Sequence, residues 1–189
     1  EDTLLVGDFL MVNRLAMGSR IPGTQIRTPG YSEARLNEVV VFDPAHEDEM
    51  KLVKRIVGMP GDTLEMRDKH LYRNGERVEE PWVKWLDFQG DHEHPWMAWQ
   101  RDHLLDPAAR ERYRPTRDNW GPLVVPQDNY FMLGDNRDFS LDSRYWGLVE
   151  AWRLEGRAMF FYFSYDRDSP ERLSWIREVR WDRIGRRIQ

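Results

Sequence analysis

The sequence contains no cysteine. Disulfides, thiolate metal sites and a cysteine nucleophile are all excluded. It also lacks any apolar run approaching the roughly 20 residues that a spanning helix requires; the longest candidate is the short "AMFFYF" at 158–163. An excess of one charge is missing too, since 28 Lys and Arg against 33 Asp and Glu leave a net charge of −5. Both signs are interleaved, so there is no basic footprint for nucleic acid and none is expected as a partner. Internal repeats and low-complexity stretches are absent as well.

What is present is a foldable composition. Hydrophobic residues make up 40% and charged residues 32% of 189 residues, which suits one folded domain rather than a disordered chain. Nine tryptophans strengthen that reading and add a residue type favoured at interfaces. The chain opens without methionine at Glu1, in what reads as structure, so a longer gene product is expected.

Strand signals dominate. "FLMVNRL", "EVVVFD", "EMKLVKRIVGM", "KHLYRNGERV", "PLVVPQDNYFML", "WGLVE" and "RAMFFYF" are mostly rich in β-branched and aromatic residues and are separated by Gly, Pro, Asn or Asp. The fold class is therefore mostly β. Asn74-Gly75 predicts a type I′ hairpin, and Pro60-Gly61 within "MPGD" predicts another turn. Residues 81–121 carry histidines, tryptophans and charge without a strand period, and read as an inserted smaller subdomain. Within them Asp106 and Pro107 predict the start of a short helix, and Ser169-Pro170-Glu171 predicts another near the C-terminus.

The stretch "KLVKRIVGMPGD", residues 51–62, places Lys54 and Arg55 inside an apolar strand. A half-buried lysine must find a carboxylate or give up its proton. Both outcomes are open from the residues alone: Lys54 and Arg55 pairing with acids across a sheet, or Lys54 serving as a desolvated base. "GDNRDFSLDSRYWG", residues 134–147, reads by composition as a solvated turn; its acidic residues lack the spacing of an EF-hand. His92 and His94 would share one strand face, but no third ligand stands at a recognisable spacing, so no metal is expected. The five histidines suggest no Ser-His-Asp triad.

Three segments in order, "EDTLLVGDFLMVNRLAMG", "KLVKRIVGMPGD" and "GDNRDFSLDSRYWGLV", together resemble the bacterial type I signal peptidase (leader peptidase) family, membrane-bound serine proteases that remove signal peptides. The tail "RWDRIGRRI" is similar to the family's closing segment. The resemblance implies that residues 1–189 form the catalytic domain, with 81–121 as its variable insertion and a signal-peptidase-type β-sheet core. It implies Lys54 as general base, Ser140 as the hydroxyl orienting its amine, Arg55 as partner of Asp135, Asp142 and Arg144 as a structural ion pair, and Gly134 as part of the same motif.

The nucleophilic serine is implied two positions before Glu1, so the chain as given is expected to be inactive. A membrane anchor is implied further upstream, with the catalytic domain on the extracytoplasmic side of the cytoplasmic (inner) membrane. No cofactor is implied. Substrates would be preprotein signal peptides with small residues before the scissile bond, added as a strand beside residues 51–54. Leu4, Leu52 and Val53 are the candidate pocket walls. Tryptophans and short apolar strands could meet the membrane lipid interface, although Trp146 and Trp152 read better as internal packing; Trp82, Trp85, Trp96 and Trp99 stay open. The alternatives are an inactive relative that binds signal peptides or a protein partner, and another Ser/Lys protease such as a self-cleaving repressor.

Overall fold

The computed structural model describes residues 3–18, 28–44, 50–86, 90–169 and 174–188, apart from the side chains of 174 and 177. Ten strands are present among them: β1 (Asp8–Asn13), β2 (Val39–Phe42), β3 (Leu52–Gly58), β4 (Thr63–Arg67), β5 (His70–Arg73), β6 (Glu76–Arg77), β7 (Trp120–Val124), β8 (Asn129–Leu133), β9 (Val149–Glu150) and β10 (Leu154–Ser164). Two single-turn helices, α1 (Ser143–Trp146) and α2 (Ser174–Arg177), complete the regular structure with three 3-10 segments. The mostly-β expectation holds. One sheet runs β1-β10-β2-β3-β8-β9 and the other β6-β5-β4-β7, with antiparallel neighbours throughout.

Strands β3 and β8 are the shared wall of two cores. Successive side chains of a strand point to opposite faces, so Ile56 and Met132 enter a cluster with Val40, Phe42 and Leu154 while Val57, Phe131 and Leu133 enter another with Leu64, Met66, Leu71 and Trp120. Both faces of this pair are buried. That explains the near-continuous apolar wording of "RIVG" and "FML", where a one-sided strand would alternate.

Local chemistry accounts for the turns. Asn74 and Gly75 both have positive φ, 54° and 84°, the requirement of a type I′ hairpin, and they join β5 to β6. Gly61 follows Pro60 at φ 87°, as a type II turn demands. Asp106 accepts a hydrogen bond from the Ala108 amide, but the helix it starts is a 3-10 turn ending at Ala109. The cap signal at Pro170-Glu171 lies outside the described residues.

Strand β4 carries the alternation Thr63-Leu-Glu-Met-Arg67, with Leu64 and Met66 buried and Thr63, Glu65 and Arg67 less so. It was not among the sequence signals because its Glu and Arg dilute β propensity. The stretch 81–121, expected as an inserted subdomain, packs on the same core. Its 3-10 helix Pro95–His103 buries Met97 in the same core as Leu64 and Trp120, and β7 begins inside it and pairs with β4. Trp85 and Trp99 pack against this core. Trp146 packs at a tilt against Phe42, but Trp152 is half exposed beneath the Arg153 guanidinium rather than internal. Among the described residues no helix is long and apolar enough to cross a membrane.

Phe131 stacks on Trp120 with ring centres 5.0 Å apart and joins the two sheets. Phe131→Ala should cost about 3–5 kcal/mol in urea unfolding. A cost under about 1 kcal/mol would mean that the shared wall is not the core described here.

Candidate active site

The register of β3 on β8 sets Arg55 opposite Leu133. Chain continuity then puts Gly134 beside Lys54. The loop after β8 turns back through Ser140 to Asp142, whose side chain accepts from the Arg144 amide and caps α1. The Met132 amide donates to Ser143 Oγ at 3.0 Å. The polar stretch 134–147 is therefore no solvated turn, because Arg137, Asp142, Ser143 and Arg144 are all buried.

Lys54 Nζ donates to Ser140 Oγ at 2.8 Å. Burial is the main reason its pKa lies below the ordinary lysine value; Arg144 pushes the same way, while Asp142 and Asp135 oppose. Gly134 makes this contact possible. A β-carbon there would fall 2.0 Å from Ser140 Oγ and 3.6 Å from Lys54 Nζ, so a side chain at 134 would displace the serine.

Two arginines flank the amine, each engaged by a carboxylate. Arg55 forks onto Asp135, Nε to Oδ1 at 2.8 Å and Nη2 to Oδ2 at 2.7 Å, and donates from Nη1 to the Asn37 carbonyl at 2.8 Å. Trp82 covers its other side at 4.3 Å from the ring centre, a cation–π arrangement. Arg144 forks onto Asp142 at 2.9 and 2.8 Å and donates to the Arg137 carbonyl at 2.6 Å. Asp142 also accepts from the Gly134 amide at 3.1 Å. Burial would raise the Asp142 carboxyl, but Arg144, Lys54 and that amide together hold it below the usual range.

The amine opens into a cavity of about 360 Å³. Val53, Leu133 and Leu4 line it, and Trp82 and Leu86 come from the 81–121 stretch. Leu4 and Val53, two of the candidate pocket walls, thus both line the cavity. Leu52 is not among the lining residues: it sits opposite Phe42 in the β2–β3 ladder and packs, partly buried, against the Val40, Phe42 and Ile56 cluster. Trp82, Leu86 and Phe139 line the cavity unforeseen. No sequence period marks the first two, and Phe139 is hidden among polar neighbours.

Thr3 was also missed; its hydroxyl donates to Asp135 and ties the chain start to the Arg55 pair. His94 accepts from the Trp96 amide and packs on Trp96 and Tyr145, so its ring serves as a helix cap. Among the described residues no group of three His, Cys, Asp or Glu could hold a metal ion.

Comparison with known proteins adds to this geometry. The family model described as "Signal peptidase, peptidase S26" matches residues 1–163. This chain belongs to the signal peptidase S26 family. It is 34% identical to signal peptidase I of Pseudomonas aeruginosa over 187 residues, covering 87% of this chain and 62% of that protein. It is 33% identical to signal peptidase I of Bacillus licheniformis over 135 residues, covering 71% of this chain and 62% of the relative. The chain thus spans about three fifths of the length of these curated relatives. A solved signal peptidase I from Enterococcus faecalis V583 is similar at TM-score 0.45 and 28% identity, covering 67% of this chain and 97% of that one.

The Asp142–Arg144 pair generates a pH prediction. A carboxyl whose folded pKa is depressed contributes stability above its unfolded pKa, near 3.9, and loses it as pH falls through the folded value. Asp142→Asn should therefore cost about 3–5 kcal/mol at neutral pH, by leaving Arg144 buried without its charge partner. The gap to wild type should narrow below about pH 4. Urea titrations across pH check this, and a gap that widens in acid would contradict the assignment.

Proposed function

We propose that this chain is the catalytic portion of a membrane-associated serine endopeptidase that removes N-terminal signal peptides from exported preproteins through a Ser/Lys dyad. In this reading the serine is the one that the family resemblance places two positions before Glu1, and Lys54 is its base. The observation that carries the reading is the desolvated Lys54 amine, 2.8 Å from Ser140 Oγ, facing an apolar cavity.

The chemistry is acyl transfer. The serine oxygen attacks the scissile carbonyl carbon as its proton passes to neutral Lys54 Nζ. The tetrahedral adduct collapses, the C–N bond breaks, and the Lys54 ammonium gives that proton to the leaving amine. Water then attacks the ester, Lys54 takes its proton, and returning it to the serine oxygen frees the signal peptide. Every proton is handled by one amine, and no cofactor is needed. Burial lowers the Lys54 pKa and so favours its unprotonated form, and Ser140 fixes the direction in which Nζ points.

Substrate binding has support in the β3 backbone. Strand β3 pairs with β2 from Leu52 but with β8 only from Arg55 onward. Val53 and Lys54 therefore pass beyond the end of β8, where an extended peptide could add as a strand and place alternate side chains in the cavity. Membrane placement is part of the proposal, with the catalytic domain on the extracytoplasmic side of the cytoplasmic membrane and in contact with lipid. Exposed Phe9, Met11, Met159, Tyr162 and Trp181 support it, since aromatic residues suit the headgroup level.

In the full-length gene product, Lys54→Arg should lower kcat on a preprotein by at least about a hundredfold, because arginine does not become a neutral base at working pH. Ser140→Ala should lower kcat more than it raises KM, since it removes orientation rather than substrate contact. Cleavage by Lys54→Arg within about tenfold of wild type would overturn the dyad.

A further inference from the structure

The C-terminal arm is built into the same end of the molecule as the chain start. β2 leaves β10 at Arg157, and from Met159 onward the backbone of the arm pairs there instead: Ile188 N reaches Met159 O at 2.9 Å, Gly185 N reaches Phe161 O at 2.8 Å and Arg180 N reaches Ser164 O at 2.9 Å. This lays Arg183 across β10 onto the segment 3–8. Its guanidinium forks onto Asp8, Nε to Oδ1 at 3.0 Å and Nη2 to Oδ2 at 2.6 Å, and Nη2 also donates to the Thr3 carbonyl at 3.0 Å. Asp8 in turn accepts from the Leu5 amide at 2.7 Å and from the Ser164 hydroxyl at 2.6 Å. Arg180 Nη1 adds a bond to the Val6 carbonyl at 3.0 Å.

A plain stabilising ion pair would need only the Asp8 fork. The bonds to the Thr3 carbonyl and the Leu5 amide instead immobilise an irregular stretch that precedes β1. Thr3 is held from two sides, its carbonyl by Arg183 and its hydroxyl by Asp135. Asp135 is the partner of Arg55, the residue after Lys54. A continuous set of contacts therefore runs from the arm through Thr3 to the strand that carries the amine.

We infer that Arg183 is a positioning residue for the peptidase reaction: by clamping Thr3–Asp8 it fixes the segment leading back to the nucleophile relative to Lys54. The inference rests on the reading of the preceding subsection, which puts the nucleophile just upstream of Glu1. Arg183 is not among the residues that line the cavity. Its loss should loosen the approach of serine to Lys54 while leaving peptide binding and the Lys54 pKa in place. Small misplacements of reacting groups weigh heavily on rate, a displacement of about 1 Å costing up to about a hundredfold.

The test uses the full-length protein and a preprotein substrate, with wild type, Arg183→Gln and Arg183→Lys assayed below their unfolding temperatures. Arg183→Gln should lower kcat at least about tenfold with KM within about twofold. The acid limb of the pH profile should keep its midpoint. Arg183→Lys, which retains the charge but not the fork, should recover part of the loss. Should Arg183→Gln fail to fold, the same split between kcat and KM in Arg183→Lys decides. Wild-type cleavage with kcat unchanged in the variants, whatever their thermal stability, overturns the positioning role alone. A wild-type protein that leaves the preprotein intact overturns the peptidase reading and the positioning role with it.

Discussion

The register that sets Arg55 opposite Leu133 is the constraint on which the rest of the site depends. Because β3 and β8 are buried on both faces, a slip of one residue would exchange Ile56 and Met132 with Val57 and Leu133 between two cores. The register is thereby locked by packing on each side. Lys54, two residues before Ile56, and Gly134, one after Leu133, inherit that precision without making much of the packing themselves. The amine lies at the end of a rigid ladder rather than on a loop, which suits the role of base proposed for it.

Charge is distributed around Lys54 so that it differs from its neighbours. Arg55 and Arg144 each meet a carboxylate in fork geometry, whereas Lys54 meets a hydroxyl at 2.8 Å. Asp142 and Asp135 do attract the ammonium, but each already has a closer guanidinium, and burial prevails. A buried ion pair is a costly way to hold a loop compared with apolar packing. Here the two pairs position backbone at Gly134 and Asn37 and leave the hydroxyl of Ser140 for the amine.

Much of this was legible in the chain. Turns at Gly61 and Gly75 and most strands could be named from the residues, because turn chemistry is a local property, whereas the trio Lys54, Ser140 and Asp142 was singled out only by the family resemblance. What escaped was decided by tertiary contact. Leu52 reads like a pocket residue next to Val53, yet it faces Phe42 in the β2 ladder and leans, partly buried, on the cluster to which Phe42 belongs. Trp82 sits in a stretch without periodicity and acquires its place only by lying over Arg55. Arg183 lies in a tail whose resemblance was visible, but its carboxylate partner is 175 residues away in sequence, a pairing that no local pattern encodes.

The central claim is that the fold holds Lys54 as a weakly basic amine. The most direct check is an NMR titration of the Lys54 side chain in this chain, assigned by comparison with Lys54→Met. The account predicts a midpoint below the ordinary lysine value of 10.5, with the resonance moving when Ser140 is replaced by alanine. A midpoint at or above that value would show the amine to be a charged member of the ion-pair network. The base assignment would then fall.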